Sequence, residues 1–298
     1  MNREMTRRGF VARGLAGAAA MGLTGERIAS AAAKKANGGK LRKATQLSRI
    51  KPGKTMLEKL KIAQDVGFEG VECGATANQK VIDELRAASD KLGVPLHSVV
   101  CATHWGFPLS DPDPGRVKKG MDGMRIALKN ARDLKATNVL LVPAVVHAKV
   151  TYKQAYERSQ ARIRELLPMA EEYGITIGIE NVWNKFLLSP LEFARYVDEF
   201  GSKYARAYFD IGNVVVYGFP QDWIRTLGPR ICRIHLKDFK RAGYKWTQLL
   251  EGDVNWPECI KALNQVGYSG WMTTEVGGGD LAALRRLSAQ VDKILACV

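Results

Sequence analysis

The chain has 298 residues, of which 46% are hydrophobic and 25% charged. These are ordinary globular values that supply a sizeable core for one large domain or two smaller ones. No apolar run approaches the roughly 20 residues of a membrane span, so stable membrane insertion is not expected. The net charge of +15 suggests a nucleic-acid partner, but residues 1–54 hold 13 basic and 2 acidic residues while the rest hold 32 and 28. The basic excess therefore belongs mostly to the N-terminal tail, and no nucleic acid is expected on the remainder.

That tail contains Thr6-Arg7-Arg8-Gly9-Phe10-Val11, then a weakly apolar stretch from Leu15 to Leu23, then small residues around Ala29-Ser30-Ala31 and Ala31-Ala32-Ala33. The order resembles a twin-arginine export signal with a peptidase site. Residues 1–33 are read as that signal, 34–42 as a polar linker and 43–298 as the folded domain. The implied partner is the twin-arginine machinery and the implied location is the periplasm. Five cysteines, Cys73, Cys101, Cys232, Cys259 and Cys297, show no CxxC spacing and no disulfide framework. Three of them fall inside apolar strand-like runs, where a thiol serves as a small core residue.

After the tail the pattern alternates. An apolar segment at Lys43 to Ile50 precedes a helix from Thr55 to Val66, with Leu57, Leu60 and Ala63 on one face. "GFEGVECG" reads as a strand, followed by a helix from Gln79 to Leu92 and the strand "VPLHSVV". A long helix, Arg116 to Leu134, leads to "TNVLLVP", and a helix from Tyr152 to Tyr173 leads to "ITIGIEN". Leu191 to Phe200 leads to "ARAYFDIGN", and a short helical piece, Gln221 to Leu227, leads to "ICRIHLKD". The helix Trp256 to Val266, the strand "GWMTTEVG" and the helix Leu281 to Leu295 close the chain. Eight apolar runs, each followed by an amphipathic helix, predict parallel strands with crossovers and hence a single-domain α/β fold, a (β/α)8 TIM barrel. An open doubly wound sheet is the alternative. The absence of G-x-G-x-x-G after the first strand counts against a dinucleotide fold.

Active sites of such barrels lie at the C-terminal ends of the strands. The fifth to eighth runs end in Glu180, Asp210, His235 and Glu275, spaced by 30, 25 and 40 residues. A lone histidine at a strand end is usually a hydrogen-bonded structural residue. Three carboxylates converging with it change that balance, because they repel one another unless a cation joins them. Oxygen-rich ligation with one imidazole suits Mn²⁺, Mg²⁺ or Co²⁺ better than Zn²⁺.

At these residues the chain resembles the xylose isomerase-like barrels, specifically the sugar and sugar-phosphate 3-epimerases. The family's Glu, Asp, His, Glu metal set falls on Glu180, Asp210, His235 and Glu275. "HLKD", His235 to Asp238, and "EGDVNW", Glu251 to Trp256, also match. The resemblance spans about residues 43 to 296. It implies one divalent cation, a small sugar as substrate, and proton transfer next to a ketose carbonyl through an enediolate. Glu180 and Glu275 would be the two catalytic bases as well as ligands. It places a substrate-binding arginine at Arg241, and His104 after the third strand joins the site residues. The ketohexose enzymes carry Asp-x-x-His on strand six, whereas Asp210-Ile-Gly-Asn213 stands here. That pattern is nearer the L-ribulose-5-phosphate 3-epimerase branch, and it makes Asn213 a candidate substrate contact. Trp105, Trp183 or Phe186 would supply a sugar-stacking wall, with ordinary packing the alternative for the tryptophans. Glu72, His97 and His147 also fall near strand ends but are not taken as site residues.

Three other readings compete. An enolising lyase or deglycosidase acting on 3-keto-glycosides would use the same metal and glutamates. An endonuclease IV-like repair enzyme needs more histidines than the 4 present, one of them where Asn213 stands. A non-catalytic sugar-binding barrel would not need an intact ligand set. Self-association into a homo-oligomer is left open.

Overall fold

The computed structural model describes residues 40–297. The expected signal, residues 1–33, and all but the end of the 34–42 linker lie outside the described residues. The first strand, β1 (Leu41–Gln46), begins two residues before the expected boundary at 43. The chain then alternates through α1 (Met56–Asp65), β2 (Gly70–Gly74), α2 (Gln79–Leu92), β3 (Leu96–Val100), α3 (Pro114–Asp133), β4 (Asn138–Leu141) and α4 (Tyr152–Tyr173). It continues with β5 (Thr176–Glu180), α5 (Pro190–Asp198), β6 (Ala205–Asp210), α6 (Pro220–Leu227) and β7 (Ile231–Leu236). A hairpin of β8 (Asp238–Lys240) and β9 (Lys245–Thr247) follows, then α7 (Trp256–Gln265), β10 (Gly270–Thr274) and α8 (Leu281–Leu295).

Eight strands close in the order β1-β10-β7-β6-β5-β4-β3-β2, all neighbours parallel. This is the expected (β/α)8 barrel in one domain. Local chemistry starts the helices where side chains can satisfy free N–H groups. Thr55 and Glu58 form a capping box on α1, and Thr151 and Gln154 form one on α4. Three helices, α3, α5 and α6, begin one or two residues earlier than expected, at Pro114, Pro190 and Pro220. Proline stands at the first helical position in each, where its missing N–H has no partner to lose. The hairpin β8–β9 was not expected. Its strands are too short for a periodic signal, three residues each.

The helices bury their apolar stripes, such as Ile82 and Leu85 of α2 or Leu284, Leu287 and Val291 of α8, against the outside of the sheet. Each fully buried side chain of this size contributes about 1.5–3 kcal/mol. The floor of the barrel is closed by a stacked column. Arg42 lies 3.8 Å over the Trp271 ring, which stacks on His97 at 4.7 Å. Cys73, Cys101 and Cys259 are buried as free thiols, while Cys232 and Cys297 are half-buried. Among the described residues no helix is long and apolar enough to cross a membrane.

Candidate active site

Strand register assembles the site. Glu180 and Asp210 are the last residues of β5 and β6, Asp210 pairs with His235 across β6 and β7, and Glu275 follows β10 directly. One ligand atom from each of Glu180, Asp210, His235 and Glu275 lies within 4.8 Å of the others. His235 turns Nδ1 toward Glu180 Oε1 at 2.8 Å, Glu275 Oε2 at 2.8 Å and Asp210 Oδ2 at 3.9 Å.

The other face of that imidazole is held by a residue that had been set aside. Glu72, in the middle of β2, places Oε2 2.9 Å from His235 Nε2. Gln46 donates to the same oxygen at 3.0 Å, and the Tyr208 hydroxyl donates to Glu72 Oε1 at 2.7 Å. With Nε2–H donated to Glu72, Nδ1 is the ring atom that faces the three carboxylates, and its lone pair becomes available to a cation once its proton is released. Burial works to raise the Glu72 carboxyl, but the adjoining His235 wins and holds it down at about 2. A buried glutamate on the histidine's blind side was the available signal. It was passed over because the sequence does not show which strand ends face one another.

Lys237 is the second residue missed. Its Nζ lies 3.1 Å from Asp210 Oδ2 and 2.8 Å from Glu275 Oε2. Both oxygens are buried and accept no hydrogen bond of good geometry. Asp210 Oδ1, by contrast, accepts the Asn213 backbone N–H at 2.7 Å. Gly212 allows this crossing, since a Cβ there would meet the Lys237 Cβ at 2.4 Å.

The charge balance is uneven. Burial, then Glu275, pushes the Glu180 carboxyl up to about 7. Burial also raises Asp210. Burial works against ionised Glu275 as well, but His235 and Lys237 win and hold it below the ordinary range. Burial opposes the His235 imidazolium, but Glu275, Glu72 and Glu180 outweigh it and keep the ring protonated in the protein alone. A divalent ion fits this set on two observations. The four donor atoms span a distance that one ion with ligands about 2.0–2.6 Å away can bridge. Two buried carboxylate oxygens there, Asp210 Oδ2 and Glu275 Oε2, accept no hydrogen bond of good geometry, and metal binding releases a ligand's proton. Three oxygens and one nitrogen suit a hard or borderline cation.

Above the cluster lies a cavity of about 210 Å³. His104, Trp105, Trp183 and Asn213 line it together with Glu180, His235 and Glu275. His104 is buried, accepts Val142 N–H at Nδ1, and is pushed down to about 4 by burial, so its ring is neutral. Asn213 commits its amide to the Asn181 carbonyl, 2.8 Å away. Trp183 donates to the Asn213 carbonyl and stacks on Trp246 at 4.7 Å. Trp246, from the unexpected hairpin, lines the cavity too.

Two expected contacts are not brought to the cavity. Arg241, at the hairpin tip, turns away: its guanidinium donates to the Gly218 carbonyl and lies over Phe219. Phe186 is buried against Tyr152, Tyr156 and Tyr196 instead of walling the cavity. Its ring serves packing between α4 and α5.

The match with known proteins agrees with this geometry. The sequence pattern of the family described as "Xylose isomerase-like TIM barrel" matches residues 60–293. The L-ribulose-5-phosphate 3-epimerase of Escherichia coli O1:K1 is 24% identical over 229 residues, covering 73% of this chain and 81% of that protein. A Salmonella paratyphi A protein of the same name is 26% identical over 233 residues, with the same coverage of 73% and 81%. Among solved structures, a D-tagatose 3-epimerase-like protein superposes with a TM-score of 0.74 at 18% identity, covering 85% of this chain and 97% of that one. A 3-keto-D-glucoside 4-epimerase from E. coli gives a TM-score of 0.74 at 15% identity, covering 86% and 99%. These two likenesses show the fold. The chain belongs to the xylose isomerase-like TIM barrel family.

Proposed function

We propose that this chain is an isomerase-class enzyme, a metal-dependent sugar epimerase or isomerase that moves a proton at the carbon next to a ketose carbonyl. The observation that carries the reading is the cluster itself: two glutamates, Glu180 and Glu275, flank His235 Nδ1 at the floor of one small cavity. The names of its curated relatives support the same class of chemistry.

Glu180, Asp210, His235 and Glu275 would hold a divalent cation, with Mn²⁺, Mg²⁺ and Co²⁺ favoured over Zn²⁺ by the oxygen-rich set. When bound, such an ion supplies the positive charge that makes the C–H beside a carbonyl acidic enough to remove. The protein's own residues do the rest. One of Glu180 and Glu275 takes the proton from one face and the other returns one to the opposite face, and the roles reverse for the back reaction. Lys237, with its ammonium beside Asp210 and Glu275, places positive charge where an enediolate would form. The stacked rings of Trp183 and Trp246 wall one side of the cavity, and His104, as a neutral ring, offers a hydrogen bond without adding charge.

Deuterium exchange from D₂O into a panel of ketoses and keto-glycosides, followed by NMR, tests this. Exchange at the carbon beside the carbonyl, lost on metal removal and in His235→Ala with the barrel still folded, is the expected result. No exchange in any sugar by the metal-loaded protein would refute it. A second reading, an enolising lyase on 3-keto-glycosides, is favoured by the opening of the cavity beyond Trp246. It predicts release of an aglycone in the same experiment.

We also infer export by the twin-arginine route to the periplasm, supported by the ordered Thr6-Arg7-Arg8-Gly9-Phe10-Val11. Fractionation of cells carrying Arg7→Lys plus Arg8→Lys should find the protein in the cytoplasm; unchanged export would dismiss the signal.

A further inference from the structure

Three amide or imidazole side chains line the cavity over the metal cluster: Gln46, His104 and Asn213. They are 9%, 7% and 3% exposed, so the little surface they keep is what faces that cavity. Each has one end already bonded, and each bonded partner has a single hydrogen-bonding polarity. That fixes what the other end can do.

His104 Nδ1 lies 3.2 Å from the Val142 backbone N–H. An amide N–H only donates, so Nδ1 must accept with its lone pair. The ring hydrogen is then on Nε2, and the free end of His104 is a donor. Asn213 Nδ2 donates to the Asn181 carbonyl at 2.8 Å. A carbonyl only accepts, so the amide cannot be turned over and its free end is Oδ1, an acceptor. Gln46 Nε2 donates to the Glu72 carboxylate at 3.0 Å, which leaves Oε1 as a second free acceptor. Among the described residues none of these three free ends has a hydrogen-bond partner, and none is sealed from solvent. The groups are also held in place. Asn213 is pinned through its backbone N–H by Asp210 Oδ1 and through its carbonyl by the Trp183 indole N–H. The loop carrying His104 is seated on α3 by two glycines. A Cβ at Gly120 would meet the Phe107 carbonyl oxygen at 2.3 Å, and one at Gly123 would meet Thr103 Oγ1 at 2.0 Å.

We propose that this cavity reads hydroxyl hydrogens: Asn213 Oδ1 and Gln46 Oε1 each accept a hydrogen bond from the sugar, and His104 Nε2–H donates one to it. The substrate's reacting end then carries free hydroxyls, and any phosphate, carboxylate or ether group lies at its far end. A hydroxyl can donate and accept, whereas ether, carboxylate and phosphate oxygens only accept. Such an oxygen set against Asn213 Oδ1 or Gln46 Oε1 would leave two acceptors facing each other out of water. Polar groups left unpaired in this way reject a ligand more strongly than a missing apolar contact does. The proposal rests on the ketose reading above and deepens it by naming the substrate class.

The test is calorimetric titration of the Mn²⁺-loaded protein with D-fructose and with its 1-, 3-, 4- and 6-deoxyfluoro analogues. Fluorine keeps roughly the size of a hydroxyl but has no hydrogen to donate. At least two of the 1-, 3- and 4-fluoro sugars should bind about tenfold or more weaker than fructose, and the 6-fluoro sugar, altered at the far end, should lose less than that. Nitrogen-15 NMR should find the His104 hydrogen on Nε2 near neutral pH. His104→Gln returns an N–H donor to the place of Nε2, and His104→Leu does not, so the first should bind fructose at least about fivefold tighter than the second. The proposal is overturned if fewer than two of the three inner analogues lose tenfold, if the 6-fluoro sugar loses as much, if the hydrogen sits on Nδ1, or if the two His104 variants bind alike. Deuterium exchange on the same sugars separates the two claims. Exchange without the positional losses removes the hydroxyl reading alone. Positional losses without exchange in any sugar remove the ketose chemistry and leave the hydroxyl reading standing. Fructose that neither binds nor exchanges removes both.

Discussion

Asp210 and Asp238 are both fully buried, in neighbouring parts of the same barrel mouth, and they are built into opposite surroundings. At the root of the hairpin, Asp238 accepts four hydrogen bonds, three from backbone N–H groups and one from the Trp256 indole. At the end of β6, Asp210 accepts one at Oδ1, while Oδ2 accepts none and faces Lys237 at 3.1 Å. A buried carboxylate that is fully bonded is an anchor, since its desolvation is offset in place. One left half-bonded among other carboxylates has its cost offset only in part, here by Lys237, and a bound cation would offset the rest. Burial does not separate the two residues; hydrogen-bond completeness does.

The largest effect should come from the half-bonded region. Glu180→Gln and Glu275→Gln each retain an oxygen able to reach a metal but remove a base, so turnover should fall about 10²–10⁴-fold. Solvent deuterium should then enter a given epimer with one variant and not the other. Wild-type rates in both variants, with metal content verified, would end the two-base reading.

The contrast itself is tested by paired substitutions. Asp238→Asn turns an N–H₂ toward donors that need an acceptor and should destabilise the barrel by roughly 2–4 kcal/mol in urea unfolding. Asp210→Asn should lie within about 1 kcal/mol of wild type in metal-free buffer, because it removes a charge that burial already disfavours. It should nevertheless lose metal. Equal destabilisation by both would erase the distinction.

A smaller effect is expected one residue behind the ligands. Glu72→Gln keeps the shape beside His235 Nε2 but removes the charge. Metal affinity should drop about 10–100-fold, measured by competition with a chelator, while far-ultraviolet circular dichroism stays unchanged. Undiminished affinity would reduce Glu72 to packing.

The last is a pH effect at the opposite end of the barrel, where no metal is involved, and it is read as a slope. His97 is pushed down to about 3, by burial first and by Arg233 next. The folded state thus holds fewer protons than the unfolded one between about pH 3 and the ordinary histidine value near 6.5. Its contribution is fully present above pH 6.5 and is lost as pH falls toward 3, by up to roughly 1.4 kcal/mol per pH unit. His97→Gln should flatten the acid side of the stability curve in that window. An unaltered slope would mean that His97 does not titrate between the two states.

Most of the barrel was legible from periodicity. The runs ending at Glu180 and Asp210 are apolar and bounded by turn residues, and the helices between them carry one-sided apolar stripes. What failed was local. Three helices start one or two residues before the expected Arg116, Leu191 and Gln221, at prolines that add nothing to an apolar stripe, and the hairpin β8–β9 was too short to show a period. The four-residue cluster was legible because each member ends an apolar run, where a charged side chain has no reason to be unless it works there. Arg241 was placed by its distance past the histidine, but the hairpin turns its guanidinium out to Gly218 and Phe219.

By itself, the sequence determined the number and order of strands and helices, because the period of apolar residues is a property of the local backbone. It also determined that carboxylates and an imidazole would meet at one rim, because parallel strands with helical crossovers all point the same way. Only the tertiary structure decided which groups stand behind that rim. Glu72 reaches His235 from a strand 163 residues distant in the chain. Lys237 reaches Asp210 and Glu275 because Gly212 lets the chains approach. Trp246 walls the cavity because Asp238 pins a hairpin with no signal of its own. Those contacts depend on which strand ends face each other across a closed barrel and on which oxygens are left unbonded, and neither is encoded in the spacing of residues along a line.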